Sequence, residues 1–496
     1  MIVMILGMLL CAAAVAAVKD VDTLLYCEKY RPQYHFTPAH RWIGDPCGTL
    51  RHHGKYLAYS WGAATSEDLL YWTELNSHAI KGVPDGISTF TGSVVADVRN
   101  TSGHGPDALV AVFTSADEHT RKQSQSIAFS HDGGTTFQYY GLNPVLDIWS
   151  TEFRDPTVFW DDKANRWVML VAKALEKKVA FYASSDLMHW EWLSDFGPMG
   201  DSERSWECPD MFRLPVEDSG ERKWILVVSV NWAREQYFIG EWDGTRFVPD
   251  HADAAPQYVD EGLDFYASRT FRDFDNPDTE DVYSIGWVNN WDYATAAPSE
   301  WGKGIWSIPR KLSLCQTDGI VRLCQRPAPQ IEGLRQPPYD ISLHPAPGVT
   351  ALEKVSGMGN VYELKIRMTS TVPDVAGLNL CVGDGRKLTI SVDTSSRYLT
   401  VDRTNTTDAS IPKFERIAYT RLKDRSDMIE LDLFVDRSTV EIFTDDGKTV
   451  LTLLTYPSET QTGAELFTHR GTTDIRLTAY PLTPTVPPTT AENIEK

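Results

Sequence analysis

A loosely repeated strand–turn–strand unit constrains the fold of this chain more than any other feature. Each copy joins a polar turn to an aromatic residue a few positions later, and the copies lie roughly sixty residues apart. A single sheet of this kind cannot bury both of its faces, whereas a closed ring of such sheets can. The repeat therefore predicts a five-bladed β-propeller over residues 25–330. The turns and their aromatic residues are Ala64–Asp68 with Trp72, Ala128–Asp132 with Phe137, Ala183–Asp186 with Trp190, and Gly240–Gly244 with Phe247.

The runs between these turns have the composition of β-strands. They are rich in β-branched and aromatic residues, and Asp, Gly, Pro and Asn bound them. Clear examples are 108–113, 167–171 and 224–230. Extended helical periodicity is hard to find, so we predict an all-β chain.

A Pro-rich stretch separates the repeat from a second pattern. We predict a linker at 331–344, after which apolar and polar residues alternate, as in 362–368, 431–436 and 439–443. Regular strands with turns about every ten residues predict a C-terminal β-sandwich over 345–482. The Pro/Thr-rich tail, 483–496, is predicted to be disordered.

The N-terminus, 1–18, is apolar and ends in small residues. Ala14–Ala16 fits a small-x-small cleavage pattern, which predicts a signal peptide and a secreted protein. No Lys or Arg precedes the apolar run, so an uncleaved anchor and a wrongly assigned start codon remain alternatives. Sequons at Asn100 and Asn405 would accept glycans only in a secretory pathway. No later segment is apolar for long enough to span a bilayer, so we expect no stable membrane association.

The net charge of −21 limits the possible partners. So acidic a chain repels phosphate backbones, which argues against nucleic acid, whereas a neutral small-molecule sugar is compatible with it. No CxxC or Cys/His cluster indicates zinc, so neither a metal nor another cofactor is predicted. The sequence does not indicate the oligomeric state.

Three acidic motifs stand out within the predicted propeller. They are Trp42–Gly48, Phe153–Pro156 and Trp206–Asp210, and in each a carboxylate lies near Pro and an aromatic residue. An Asp-Pro pair by itself is usually only a turn. Because propeller sites gather residues from several blades at a central channel, three such motifs predict one common site.

Glycoside cleavage requires such carboxylates. One attacks the anomeric carbon, while another protonates the leaving oxygen and later activates water. The acid needs a raised pKa, which we expect Trp206 and the neighbouring carboxylates to give Glu207. Arg154 is expected to hold its neighbour Asp155 ionised, so that Asp155 can bind sugar hydroxyls.

The order of the motifs resembles family 32 of the glycoside hydrolases, the invertases, exo-inulinases and levanases, over nearly the whole chain after the leader. The matching segments are Tyr34–Pro38 with the motif around Asp45, Phe90–Ser93, Arg154–Pro156, Glu207–Pro209, Asp264–Ala267, Gly286–Trp291 and Phe434–Phe443.

The resemblance implies a retaining β-fructofuranosidase with a propeller followed by a sandwich, and no cofactor. It assigns Asp45 as nucleophile, Glu207 as acid/base and Asp155 as transition-state stabiliser. For Tyr266 and Trp301, simple packing is an equal alternative to sugar contact. The implied substrate-binding residues are Trp42, Trp61, Phe90, Thr91, Arg154, Cys208, Tyr266 and Trp301.

Two departures from the family pattern keep the reaction open. Gly44 and Cys47 stand where the family has Asn, and a stretch is missing between Tyr56–Ser60 and Trp61–Thr65. The Gly-Asp-Pro-Cys segment resembles that of some fungal enzymes that transfer fructose to other sugars. The main hypothesis is an exo-acting hydrolase of sucrose, kestose and short inulin- or levan-type chains. The alternatives are a fructosyltransferase that makes kestose-type products and, more remotely, a non-catalytic sugar-binding protein.

Overall fold

A computed structural model of the protein describes residues 25–217, 219–251, 255–317, 319–424 and 426–486. The predicted signal peptide, 1–18, lies outside these residues. Within the described ranges, no helix combines the length and apolar character needed to cross a membrane.

Five consecutive β-sheets form the first domain, as the repeat predicts. Blade I contains β1 (Gly48–His52), β2 (Lys55–Tyr59), β3 (Ala63–Ser66) and β4 (Trp72–Asn76). Blade II contains β5 (Ile80–Lys81), β6 (Ile87–Ala96), β7 (Leu109–Asp117), β8 (Gln123–Ser130), β9 (Phe137–Tyr139) and β10 (Leu146–Ser150). Blade III contains β11 (Phe153–Asp161), β12 (Arg166–Lys173), β13 (Lys178–Ser184) and β14 (Glu191–Phe196).

The last two blades follow the same antiparallel order. Blade IV contains β15 (Trp206–Pro215), β16 (Arg222–Val230), β17 (Arg234–Trp242), β18 (Phe247–Pro249) and β19 (Gln257–Tyr258). Blade V contains β20 (Tyr266–Thr270), β22 (Val282–Trp287), β23 (Arg310–Thr317) and β24 (Ile320–Pro327). Short 3₁₀ helices lie at Ala174–Glu176 and Ala294–Ala296.

The period-2 alternation of each strand explains how the blades pack. On β7, Leu109 and Phe113 point into the core shared with blade I, whereas Val110 and Val112 point into the core shared with blade III. Each blade thus buries both faces against its two neighbours. The ring is closed by β21 (Arg272–Asp273), which follows β20 and pairs in parallel with β1.

The second domain is a sandwich of two six-stranded sheets. The first sheet contains β25 (Tyr339–Leu343), β27 (Tyr362–Ser370), β32 (Met428–Asp436), β33 (Thr439–Thr444), β34 (Thr449–Leu454) and β36 (Thr473–Pro481). The second contains β26 (Gly348–Ala351), β28 (Val375–Gly383), β29 (Arg386–Asp393), β30 (Tyr398–Asp402), β31 (Ile417–Arg421) and β35 (Gly463–Thr468). A helical turn, α1 (Glu353–Ser356), and a 3₁₀ turn, Asp445–Gly447, complete the domain.

Two boundaries differ from the sequence prediction. The predicted linker, 331–344, is ordered: it contains most of a 3₁₀ helix, Pro329–Leu334, and the edge strand β25. Ile331 and Leu334 of that helix are buried, which the Pro-rich composition concealed. The start of the tail predicted to be disordered also has defined partners, since Thr483 N–H donates to Leu334 and Thr485 N–H donates to Gln33. Residues 487–496 lie outside the described ranges.

A buried ionic network joins the two domains. Glu441 on β33 accepts hydrogen bonds from Arg310 (2.7 Å) and lies 3.0 Å from Nε2 of His35. The other ring nitrogen of His35 lies 3.0 Å from Asp436 of β32, and Arg310 also pairs with Asp260 at 3.0 Å. The segment resembling the family's sandwich signature thus supplies two acids of the interface, Asp436 and Glu441.

A second buried set lies beside the first. Arg403 of the sandwich pairs with Asp264 of the propeller at 2.5 Å and donates to the Tyr293 hydroxyl at 2.6 Å. The Tyr293 hydroxyl in turn donates to Asp264. Because these groups are fully buried, their mutual pairing fixes the sandwich against the propeller.

Candidate active site

One strand in each of blades II to V is irregular where a predicted motif lies; these strands are β6, β11, β15 and β20. The pairing register shifts between Thr89 and Gly92, Arg154 and Thr157, Glu207 and Asp210, and Tyr266 and Arg269. Three of these breaks include a residue with positive φ: Asp155 (65°), Cys208 (49°) and Ala267 (54°). A β-bulge bends the strand and redirects its side chains, so these breaks turn motif residues toward a common point.

Asp45 lies in the loop that enters β1. Its Oδ2 accepts a hydrogen bond from Thr91 Oγ1 at 2.6 Å and lies 3.6 Å from Cys208 Sγ. Its Oδ1 is buried without a hydrogen-bond partner among the described residues. Burial raises the pKa of Asp45 and the Glu207 charge adds to the rise, while the Thr91 hydrogen bond opposes it.

Asp155 lies at the β11 bulge and reaches the same thiol. Its Oδ2 accepts from the Cys208 N–H at 3.1 Å and lies 3.5 Å from Cys208 Sγ. The Asp155 N–H donates to Thr114 Oγ1 at 2.9 Å, which supports the bulge. Burial raises the pKa of Asp155 to about 6, although the Arg154 charge opposes this.

Glu207 is held from two sides. Arg154 donates to Glu207 Oε1 through Nε (3.2 Å) and Nη2 (2.8 Å), and the Tyr266 hydroxyl donates to Oε2 at 2.5 Å. Arg154 therefore hydrogen-bonds Glu207, while its charge also lowers the pKa of Asp155, the direction that the sequence predicts. At the β11 bulge, Arg154 and Asp155 thus reach two neighbouring residues of β15 in blade IV, Glu207 and Cys208 respectively.

The thiols of Cys47 and Cys208 both lie beside Asp45. Cys208 contacts Asp45 and Asp155 as described, and Cys47 Sγ lies 3.3 Å from the Asp45 carbonyl oxygen. Both side chains are buried, and burial raises the pKa of each thiol. They are therefore neutral thiols that can donate weakly but do not act as nucleophiles.

Aromatic side chains form one rim of the site. The Trp42 ring stacks on Trp291 with centroids 5.9 Å apart, and Trp287 packs against both. Trp42, Trp291 and Phe90 each expose about two fifths of their surface (38%, 43% and 41%). Exposed, stacked indoles offer a flat face that suits a sugar ring.

Two of the predicted pocket tryptophans are buried instead. Trp61 donates its indole N–H to the Phe90 carbonyl at 2.7 Å, so it positions the strand that carries Phe90 and Thr91. Trp301 packs in an apolar cluster between the domains, with the Arg31 guanidinium over its ring at 4.6 Å. No contact among the described residues joins Trp301 to the three carboxylates, and packing accounts for its burial.

Supporting residues gave no signal in the sequence. Gln123 and Glu152 bind Arg154 Nη1 at 3.2 and 2.7 Å and thereby fix its guanidinium against Glu207. Arg269 is buried beneath the site, donates to the Pro209 carbonyl, and opposes the rise in the Asp45 pKa. These residues lie outside the acidic motifs, and only the fold brings them there.

A surface groove of about 540 Å³ lies between blades III to V and the sandwich, and its described lining includes none of the three carboxylates. Trp232, 43% exposed, forms part of its wall, and Lys413 is contributed by the sandwich. Ser205, two residues before Glu207, also lines it.

Comparison with known proteins identifies the family. Residues 35–327 match the model of the Glycosyl hydrolases family 32 N-terminal domain, and residues 330–481 match that of the Glycosyl hydrolases family 32 C terminal. A levanase of Bacillus subtilis is 35% identical, covering 97% of this chain and 74% of the relative. An extracellular exo-inulinase of Aspergillus ficuum is 32% identical, covering 93% and 96%.

A solved structure shares the two-domain architecture. The crystal structure of exo-inulinase from Aspergillus awamori superposes with a TM-score of 0.85 at 30% identity, covering 93% of this chain and 100% of that one. Both family models match in order and together span the propeller and the sandwich. The chain therefore belongs to family 32 of the glycosyl hydrolases.

Proposed function

We propose that this protein is a retaining, exo-acting β-fructofuranosidase that releases terminal fructosyl units from sucrose and short fructans. The observation that carries the proposal is the convergence of three carboxylates on one site. Cys208 contacts both Asp45 and Asp155. The charge of Glu207 adds to the rise that burial causes in the pKa of Asp45. Glycoside cleavage by covalent catalysis needs two such carboxylates.

In the first step, Asp45 attacks the anomeric carbon of the fructosyl unit while Glu207 protonates the glycosidic oxygen. The bond to the leaving sugar breaks, and a fructosyl ester forms on Asp45. Tyr266 and Arg154 orient Glu207 for this transfer through their hydrogen bonds to its two oxygens. Asp155 binds fructose hydroxyls, and these hydrogen bonds strengthen as charge develops on the sugar ring.

In the second step, Glu207 removes a proton from water, and the oxygen attacks the same carbon. Asp45 leaves as a carboxylate, and fructose is released with its anomeric configuration retained. Retention also predicts that the carboxyl groups of Asp45 and Glu207 lie about 5–5.5 Å apart. The rim tryptophan Trp42 offers a stacking face for the sugar next to the cleaved bond.

We propose that the groove lined by Ser205, two residues before Glu207, holds the remainder of a longer chain. Trp232 offers an aromatic face, and its charged neighbours offer hydrogen bonds to sugar hydroxyls. We therefore expect short fructo-oligosaccharides to bind better than sucrose. The predicted leader and the extracellular relative support export of the enzyme.

The test is incubation with sucrose, kestose and short levan- and inulin-type chains, followed by chromatography. Release of fructose one unit at a time supports the exo-acting hydrolase, and proton NMR of the first product identifies the anomer. An inverted product would contradict the retaining mechanism. Absence of turnover on every fructoside would leave only the sugar-binding alternative.

Fructosyl transfer is a second candidate because the rim is altered near the nucleophile. A Cβ added at Gly44 would lie 3.0 Å from Trp42 Nε1, so glycine leaves room for the indole at its present position. The missing stretch before Trp61 opens the rim where an acceptor sugar would bind, and a bound acceptor can outcompete bulk water. Excess free glucose over free fructose at high sucrose, with a kestose-type trisaccharide, supports transfer. Equimolar release even near saturation contradicts it.

A further inference from the structure

We propose that His52, His53 and Asp275 form a binding site for a transition-metal ion of the Zn²⁺ or Ni²⁺ type, which fastens the first blade of the propeller to the last. The site is on the turn between β1 and β2, at the end of β1 opposite Asp45. One ligand atom from each of the three residues lies within 4.8 Å of the other two.

His52 is the observation that points to a ligand. Its side chain is 94% buried, yet neither ring nitrogen has a hydrogen-bond partner among the described residues. The nearest carboxylate oxygen, Asp275 Oδ1, is 4.0 Å from Nδ1, which is too far for a hydrogen bond. A buried imidazole without a partner is costly, and a metal ion between the two groups would satisfy both.

The other two residues lie close to the His52 ring. His53 has a left-handed backbone conformation (φ 51°). The centroids of the His52 and His53 rings lie 3.8 Å apart. Asp275 accepts hydrogen bonds from the His53 and Gly54 N–H groups at 2.7 and 2.8 Å. The loop carrying Asp275 is itself tied to β1, since the Phe274 N–H donates to the Arg51 carbonyl at 2.9 Å.

The donor set selects the class of ion. Two imidazoles and one carboxylate match Zn²⁺, Ni²⁺, Co²⁺ or Cu²⁺, whereas Ca²⁺ and Mg²⁺ require mainly oxygen ligands. Zinc ligands at about 2.0–2.1 Å in a tetrahedron lie about 3.3 Å from one another, so the exposed His53 ring must move inward. Water would complete the coordination.

The position of the site gives it a structural role. β21 pairs with β1, with Leu50 opposite Arg272 and Arg51 opposite Asp273. This short pairing joins the first and fifth blades. His52 ends β1 and His53 comes next, and Asp275 lies two residues after β21. A shared ion would therefore link the two strands whose pairing closes the ring.

The experiment uses the full-length protein stripped of metal with EDTA and dialysed. Titration with ZnCl₂ by calorimetry is expected to reveal one site, and saturating Zn²⁺ is expected to raise the Tm by about 3 °C. His53→Gln should weaken binding by about 100-fold and abolish the Tm rise. Because His53 is exposed, this variant should fold, which circular dichroism and fructoside turnover check.

His119→Gln is the matched control, since it removes an exposed histidine from another turn of the propeller. His52→Phe, which keeps a ring in the buried position, should also lose binding. Equal zinc affinity in wild type and His53→Gln, or no saturable binding at all, would overturn the site. Binding without a change in Tm would overturn the structural role.

Discussion

Two buried acids, Glu441 at the domain interface and Asp45 at the candidate site, differ in how fully their oxygens are hydrogen-bonded. At the domain interface, both oxygens of Glu441 are bonded, one to Arg310 and the other to His35 and the Ile308 N–H. At the site, Asp45 has one oxygen without a hydrogen-bond partner among the described residues. Glu441, with both oxygens paired, fixes the domain interface, whereas Asp45 keeps one oxygen available for chemistry.

The pKa directions express the same difference. Burial favours the neutral form of Glu441, yet Arg310 and His35 outweigh burial and hold its pKa below the ordinary value. At Asp155 burial prevails over Arg154, and its pKa rises to about 6. The interface carboxylate is stabilised by its surroundings, and the site carboxylate is held at a cost in folding energy.

The largest expected effect is the loss of activity when a site carboxylate is neutralised. Asp45→Asn and Glu207→Gln should each lower kcat by about 10⁴-fold or more, because one removes the nucleophile and the other the proton donor. The substitutions are nearly isosteric, so the Tm should stay within about 2 °C of wild type. Steady-state kinetics and thermal melts check both. Near-normal turnover in either variant would reject the role assigned to that residue.

Neutralising an interface acid should lower stability and leave activity nearly unchanged. Glu441→Gln leaves Arg310 and His35 without their common counter-charge, and the free energy of unfolding should fall by about 3–5 kcal/mol. Activity per folded molecule should be nearly unchanged at low temperature. Urea unfolding measures the loss, and Glu430→Gln, which breaks an exposed pair with Arg367, is the control with an expected change under about 1 kcal/mol. Equal losses in the two variants would contradict the structural role of the interface network.

The sequence predicted the features of the fold that follow from regular strand periodicity and from the acidic motifs. The turn repeat predicted five blades because each strand of a propeller alternates between two neighbouring cores, as Val110 and Phe113 do. The acidic motifs predicted which carboxylates meet, and the thiols of Cys47 and Cys208 lie beside them.

The sequence could not predict the contacts that depend on a β-bulge or on the packing of the two domains. Arg154 binds Glu207 because a bulge separates its direction from that of Asp155, and no residue pattern marked the bulge. The domain interface also escaped prediction, since His35 and Glu441 are over 400 residues apart in sequence (|i−j| = 406). The burial of Trp301 depends on that interface.

Protonation of His35 provides a pH-dependent test of the interface. Burial alone would lower its pKa, but the bonds to Asp436 and Glu441 outweigh burial and raise it to about 9. Because the folded pKa exceeds the unfolded value of 6.5, the stabilisation is complete below pH 6.5 and is lost as the pH rises through 9. The shift corresponds to a loss of about 3 kcal/mol, measurable by urea unfolding at pH 6.5 and 9.5.

The same pH series on His189→Gln should follow wild type, since that histidine lies in an exposed pair with Asp186. His35→Gln should lose the component of the pH dependence between 6.5 and 9.5. If wild type and His35→Gln lose stability in parallel over this range, other groups cause the loss and the assignment to His35 is wrong.

The smallest expected effect is a gain in stability at the site itself. Because the folded pKa of Asp155 is raised from 3.8 to about 6, the folded state binds protons more strongly than the unfolded state, and stability falls as the pH rises from about 4 to 6. Asp155→Asn removes this charge but keeps an oxygen that can accept the Cys208 N–H. We therefore expect the variant to be more stable at pH 7 by about 1–3 kcal/mol and far less active. Unfolding at pH 4 and 7 checks the sign, because the gain should shrink at pH 4, where Asp155 is protonated in wild type. A variant less stable than wild type at pH 7 would show that the Asp155 charge is fully compensated, and the contrast with the interface acids would then fail at this residue.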